Sequence, residues 1–319
     1  MRIGFHASHE QFPPSKMLEY TIAAEQAGFD CAMSSDHFKP WSRSQGHSGY
    51  SWSWLGAAMA RTTFPVGVIC AAGYRYHPAV VAQAAATLAE MFPARFWFAL
   101  GSGERVNEDV TGMAWPSKAE RNQKMKECAT IIRSLLNGER VTHRGSVTVV
   151  EGELFSRPKI APPMLGAAVS EATAEFVGRW SDGLLTVASK PEQLKKVIEA
   201  FRRGGGEGKP IHLQVALNWA PTEAEALKGA FDHWRFVTLG GDIGWELRCP
   251  EDYETATRFV RPEDMRQSVL ISSDLSRHAE WLQEYAQLGV DYVYLHQVDL
   301  NQVGFIEAFA AKVLPQFRK

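Results

Sequence analysis

Short apolar runs alternate with longer amphipathic stretches from one end of the chain to the other. The runs cover residues 3–7, 31–34, 65–70, 96–100, 164–168, 183–187, 212–217 and 291–295, eight in all, each of strand length. Between them, apolar side chains recur three and four residues apart. Met17, Tyr20, Ala24 and Ala27 form one such stripe. Residues 78–91, 118–136, 192–201, 223–234, 277–288 and 305–313 read the same way. Strands that each feed a helix predict an α/β fold, a parallel (β/α)8 TIM barrel, with a doubly wound open sheet as the alternative. Two stretches depart from the repeat. Residues 138–156 alternate as a β-hairpin does, and residues 236–261 are polar and irregular before Pro262-Glu263-Asp264 opens a short helix. They are expected to be insertions after strands four and seven of a single domain spanning 1–319.

Composition narrows the class. Hydrophobic residues make up 45% of the 319 and charged residues 22%, enough for a large core and too apolar for disorder. A net charge of -2 with no basic block argues against nucleic acid or a membrane surface as partner. No apolar run approaches the ~20 residues that span a bilayer. Four cysteines without a C-x-x-C pair suit a reducing compartment, and the expected location is cytoplasmic. Amphipathic-helix aromatics such as Phe92 and Trp281 fit a homodimer face or the core equally.

In a barrel the loops after the strands share one face, and chemistry belongs there. Strand one is followed by Ser8-His9-Glu10, and strand two by residues 34–41, Ser-Ser-Asp-His-Phe-Lys-Pro-Trp. That octapeptide sets a carboxylate (Asp36), an imidazole (His37) and an indole (Trp41) side by side, and histidine titrates nearest neutrality. Small residues, Ala71-Ala72-Gly73, leave room for a flat ligand after strand three. After strand four come Gly101-Ser102-Gly103-Glu104, a tight turn that aims Glu104 inward. The third glycine of a dinucleotide fingerprint is missing there, since that position is Val106. Ser170 can cap the helix after strand five. Each group also has a bland reading: Asp36 as a turn cap, His37 as a satisfied turn residue, Trp41 as a plug, Glu10 as a solvated charge. No metal site is expected: His6 and His9 face opposite sides of a strand, and H-E-x-x-H is absent. There is no nucleophile elbow for a serine.

Several stretches match a known family. They are residues 8–12 (Ser-His-Glu-Gln-Phe), 35–41 (Ser-Asp-His-Phe-Lys-Pro-Trp), 51–54 (Ser-Trp-Ser-Trp), 74–80 (Tyr-Arg-Tyr-His-Pro-Ala-Val) and 101–108 (Gly-Ser-Gly-Glu-Arg-Val-Asn-Glu). On these the chain resembles the luciferase-like superfamily of flavin- and deazaflavin-dependent oxidoreductases. It is most similar to glucose-6-phosphate dehydrogenases that use coenzyme F420. The resemblance implies a cofactor ring, FMN or F420, in the barrel mouth, backed by a cis peptide at Val68-Ile69. It implies that Asp36 contacts the ring, His37 takes a proton from a substrate hydroxyl, and Glu10 orients His37. Trp41 walls the substrate pocket, Glu104 protonates the reduced ring, and Ser102, Gly103 and Asn107 hold the cofactor. Such a base needs a pKa near 7. Of the family's cationic clamp for a sugar phosphate, Lys190 matches one lysine, the arginine position holds Ser268, and no second lysine is found. Glucose 6-phosphate is therefore not the expected substrate. Val169-Ser170 replaces a glycine pair at the cofactor phosphate, compatible with FMN. Hydride transfer to or from a small molecule is the resulting expectation. An FMN monooxygenase, served by a flavin reductase, is the alternative within the class. A flavin-binding protein without turnover and a metal-dependent barrel hydrolase are the alternatives outside it.

Overall fold

The structure is a computed structural model that describes residues 1–318. Eight parallel strands close into a barrel: β1 Arg2–Ala7, β2 Cys31–Ser35, β3 Val66–Ala71, β4 Phe96–Gly101, β5 Met164–Ala167, β6 Leu184–Val187, β7 Ile211–Asn218 and β8 Tyr292–Gln297. Consecutive strands pair in order, and β8 pairs with both β7 and β1, which completes the ring. All eight expected strands form within a few residues of the expected bounds.

Alternation along each strand divides the side chains between two cores. Outward residues such as Ile3, Phe5, Val66, Val68, Phe96, Phe98, Leu213 and Val293 pack against the surrounding helices. Inward residues Cys31, Met33, Trp97, Ala99, Leu165, Leu185 and Tyr294 fill the barrel. Gly67 belongs to the inner set: a side chain there would overlap the Trp97 indole.

The helices are α1 Pro14–Ala27, α2 Ser51–Arg61, α3 Pro78–Met91, α4 Lys118–Leu136, α5 Glu171–Gly178, α6 Pro191–Phe201, α7 Glu223–Trp234, α8 Leu275–Gln287 and α9 Gln302–Lys312. Local chemistry sets their ends. Proline occupies the first turn of α1, α3 and α6, where its missing N–H costs nothing. Capping boxes, Ser117 with Glu120 and Thr222 with Glu225, start α4 and α7. Gly28 ends α1 at φ 94°. Helix α2 was not legible as a stripe; its entry residue Tyr50 offers no side-chain cap.

The hairpin forms as expected from Val141–Arg144 and Thr148–Gly152, between α4 and β5. It leans on α4, where Glu127 receives His143 Nε2 (2.8 Å), Ser146 Oγ (2.7 Å) and the Val147 N–H (3.0 Å). The stretch after α7 is more ordered than its polarity suggested. It folds into short helical turns, Arg235–Leu239, Gly240–Gly244 and Pro250–Ala256, around a separate apolar cluster containing Trp234, Phe236 and Tyr253. Phe236 and Tyr253 are buried in that cluster, whereas Phe259 stands exposed and the polar Thr257 is buried.

One implied feature is absent. Every peptide bond among the described residues is trans, Val68–Ile69 included. That bond lies in a ladder of unbroken register, with Val68 opposite Ser34 and Phe98, and Ile69 opposite Ser35 and Ala99. Regular pairing on both sides leaves no bulge, so of these two residues Ile69 turns toward the barrel interior and Val68 packs outward.

Candidate active site

The top of the barrel interior is chemically divided. On the β8-β1-β2 side lie His296, His6 and Ser35. The His6 and His296 rings are 4.4 Å apart, His6 Nε2 meets Ser35 Oγ at 3.0 Å, and His296 Nε2 meets Gln11 Oε1 at 3.0 Å. Burial holds both imidazoles below the usual range, His296 at about 4. On the β3-β4-β5 side the inward residues are Ile69, Ala71, Gly101 and Ala167, which shape a low apolar shelf. A side chain built on Gly101 would approach Ala167 and Ile69 no closer than 3.8 Å. Val169 and Val187 stand exposed at the rim, 38% and 44%.

Above the polar half sits His37. Its Nδ1 lies 2.8 Å from Glu10 Oε1, and its Nε2 lies 3.6 Å from Glu104 Oε2. The shorter approach is off the line of the N–H, so it is a charge contact before it is a hydrogen bond. Glu10 is fully buried, which removes its reading as a solvated charge, and its other oxygen accepts from Ser8 Oγ at 2.8 Å. Burial alone would favour neutral groups. Here the two charges outweigh it: Glu10 is held well below the usual carboxylate range, and His37 is raised to about 9 by Glu10 and Glu104. The imidazole is thus protonated at neutral pH in this structure, not poised near 7. Glu104 moves the other way. Burial raises it more than His37 lowers it.

Trp41 packs edge-on to His37, ring centroids 4.9 Å apart, and stacks on Phe236 at 5.3 Å. Tyr253 closes the far edge at 5.3 Å. Phe236 and Tyr253 come from the stretch after β7 and carried no signal in the sequence beyond aromaticity. Asn107 ties the β2 and β4 loops: its Oδ1 accepts from the Phe38 N–H (2.9 Å) and its Nδ2 donates to Glu104 Oε2 (3.2 Å). Ser102 receives Lys118 Nζ at 2.8 Å. Gly103 turns the chain at φ 84° against Trp115 and Glu108. Asp36 is buried, with Oδ2 on Arg75 Nη2 at 3.0 Å and Oδ1 without a partner.

Ser170 caps α5, its hydroxyl accepting from the Thr173 N–H at 3.4 Å. Lys190 stands exposed where α6 begins, one strand further round the mouth. The structure therefore gathers Glu10, Asp36, His37, Trp41, Glu104 and Asn107 tightly, with Ser102 and Gly103 adjoining. It leaves Val169, Ser170 and Lys190 along the opposite rim. Arg75 and Glu108, quoted in a matching stretch without a role, were missed. No cluster of three or more metal-ligating side chains exists among the described residues.

A barrel whose mouth pairs an acid–imidazole cluster with a flat apolar shelf is the architecture of a cofactor-assisted enzyme. Residues 1–292 match the luciferase-like monooxygenase family, and the chain belongs to it. It is 32% identical over 329 residues to an F420-dependent glucose-6-phosphate dehydrogenase of Beutenbergia cavernae, covering 100% of this chain and 98% of that protein. Among solved structures it superposes on an F420-dependent secondary alcohol dehydrogenase in complex with an F420-acetone adduct, with a TM-score of 0.94, 27% identity and coverage of 100% and 99%. A monooxygenase from Streptomyces bottropensis shares the fold at a TM-score of 0.77 and 18% identity, covering 100% of both chains. The chain is an oxidoreductase of this family.

Proposed function

We propose that this protein is an F420-dependent oxidoreductase interconverting a small uncharged alcohol and its carbonyl form, with His37 exchanging the hydroxyl proton. The carrying observation is His37 itself, set between Glu10 and Glu104 beside the Trp41 wall. When bound, the deazaflavin ring supplies a two-electron acceptor and donor. The residues suit such a ring: a low shelf of small side chains, exposed apolar rim residues, and a buried acceptor on Asp36 with no partner in the protein. Asp36, Ile69, Ser102, Gly103 and Asn107 would hold it, with Val169 and Ser170 toward its phosphate.

His37 Nε2 faces the mouth because Nδ1 is committed to Glu10. As the alcohol is oxidised, its hydroxyl proton passes to Nε2. In reverse, the imidazolium donates that proton to the carbonyl oxygen. A resting imidazolium favours the reductive direction at neutral pH, and oxidation needs the neutral ring. Trp41, Phe236 and Tyr253 line a small cavity together with Asp232, His233 and Arg235. Arg43, Arg105, Arg121 and Arg248 nearby are each paired with a carboxylate. Ser268 at the clamp's arginine position and the lack of a matched second lysine support an uncharged substrate rather than the sugar phosphate of the glucose-6-phosphate dehydrogenases.

The test is a titration of the purified protein with F420 and with FMN, followed by turnover on short secondary alcohols and ketones. F420 binding with alcohol turnover is expected, and His37→Ala should lower the rate by ~10²–10⁴-fold. Binding of FMN alone, with oxygen-dependent turnover, would replace this reading with the monooxygenase one. A loss under about tenfold in His37→Ala would remove His37 from proton transfer.

A further inference from the structure

Arg75, which follows β3, is the most heavily engaged side chain at the barrel mouth. Its Nη2 donates to the Asp36 carbonyl at 2.9 Å and to Asp36 Oδ2 at 3.0 Å. Its Nη1 donates to Tyr76 Oη at 3.1 Å. Its Nε lies 3.4 Å from Glu108 Oε1, and its own backbone N–H donates to Glu108 Oε2 at 3.1 Å. All three charged side chains are buried: Arg75 is 8% exposed, Asp36 0% and Glu108 2%. One guanidinium thus joins the loops after β2, β3 and β4. It leaves two carboxylates sharing a single cation, and one buried oxygen, Asp36 Oδ1, still unpaired.

We infer that Arg75 and Glu108 are a positioning pair for Asp36: Arg75 holds its carboxylate and its backbone carbonyl in place at the barrel mouth, and Glu108 holds Arg75. The double clamp argues for more than charge neutralisation. An arginine needed only to neutralise Asp36 would not be clamped by a second buried carboxylate, which costs desolvation and competes for the same charge. Two-sided clamping fixes the guanidinium plane, and its bond to the Asp36 carbonyl fixes the backbone that leads into His37. A lysine would supply the charge without that fork.

The electrostatics have opposite signs for the two partners. Burial raises Asp36, and Arg75 opposes this. Glu108 is likewise raised by burial and lowered by Arg75. The other titratable groups facing Asp36 are His37 on its own loop, Tyr76 and Cys70 from the β3 end, and Tyr50 at the start of α2. Removing Arg75 therefore pushes Asp36 toward its neutral form, whereas removing the Glu108 charge frees Arg75 for Asp36 and pushes the other way.

The experiment is a carbon-13 titration of the Asp36 carboxyl in ligand-free protein, assigned with Asp36→Asn, for the wild type, Arg75→Gln, Arg75→Lys and Glu108→Gln. The expected result is an upward shift of roughly 1–3 units in Arg75→Gln, a smaller one in Arg75→Lys, and a downward shift in Glu108→Gln. Shifts of the same sign in Arg75→Gln and Glu108→Gln, or none, would overturn the pairing. Should Arg75→Gln not fold, Arg75→Lys and Glu108→Gln still give the opposed signs. A second arm rests on the F420 reading: F420 affinity at neutral pH should fall about tenfold or more in Arg75→Lys. If F420 does not bind the wild type, that reading fails while the titration still decides the pair.

Discussion

Glu10 lies three residues past the end of β1 and decides how His37 behaves. A buried imidazole alone falls below its usual pKa, as His9, His212 and His296 do. His37 rises to about 9 because the buried Glu10 carboxylate stands 2.8 Å away, with Glu104 adding to it. Glu10→Gln keeps the shape and removes the charge. The midpoint for alcohol oxidation should then fall from about 9 by more than about one unit, and carbonyl reduction should lose its advantage at neutral pH. Rate profiles in both directions read this, and an unmoved midpoint would assign the wild-type titration to another group. The pair also bears on stability. Because the folded pKa of His37 is raised, its contribution is complete below about 6.5 and is lost as pH rises through about 9. Glu10 was legible as a candidate from its place after strand one, but its burial was not. Nothing in the sequence says that Val298, at the end of β8, accepts from Gln11 Nε2 at 2.6 Å and draws the β1 loop over the barrel.

The segment after β7 acts as a unit at the scale of elements. Trp41 from the β2 loop stacks on Phe236, which tilts against Trp234 at 4.6 Å, and Tyr253 Oη donates to the Gly244 carbonyl. These rings form a cluster distinct from the helix-facing and barrel cores. Truncating a buried phenylalanine costs about 3–5 kcal/mol. In Phe236→Ala that loss should fall on the segment. Amides between Trp234 and Tyr253 should exchange more than about tenfold faster, while β1–β4 stay protected. Uniform loosening of the barrel in hydrogen exchange would contradict an independent unit. The strands and long helices could be read in advance because their periodicity is local. Helix α2 could not, because it carries tryptophans and serines with no capping signal. The segment after β7 is held by contacts to residues roughly 200 positions away, such as Arg43 with Glu254, and local pattern has no access to those.

Across the whole molecule, burial depresses the pKa of several histidines. His6 is held low, His9, His278 and His296 sit at about 4, and His212 at about 3, burial being the leading cause in each. A depressed folded pKa means that the unfolded chain binds these protons first. Stability present above about 6.5 is therefore lost as pH falls through 4 toward 3. Urea midpoints should drop steeply across that window, and His212→Gln, if folded, should flatten the drop. A midpoint constant from pH 6.5 to 4 would contradict this. By itself the sequence determined the barrel, because hydrophobic period and strand length are written residue by residue. It also determined which strand ends carry acid, base and indole. Only the tertiary structure decided the charge of His37, the trans geometry at Val68–Ile69, the clamp of Arg75 and the aromatic wall over the mouth. Each depends on distances between groups far apart in the chain, and on the burial that turns a short distance into a large electrostatic effect.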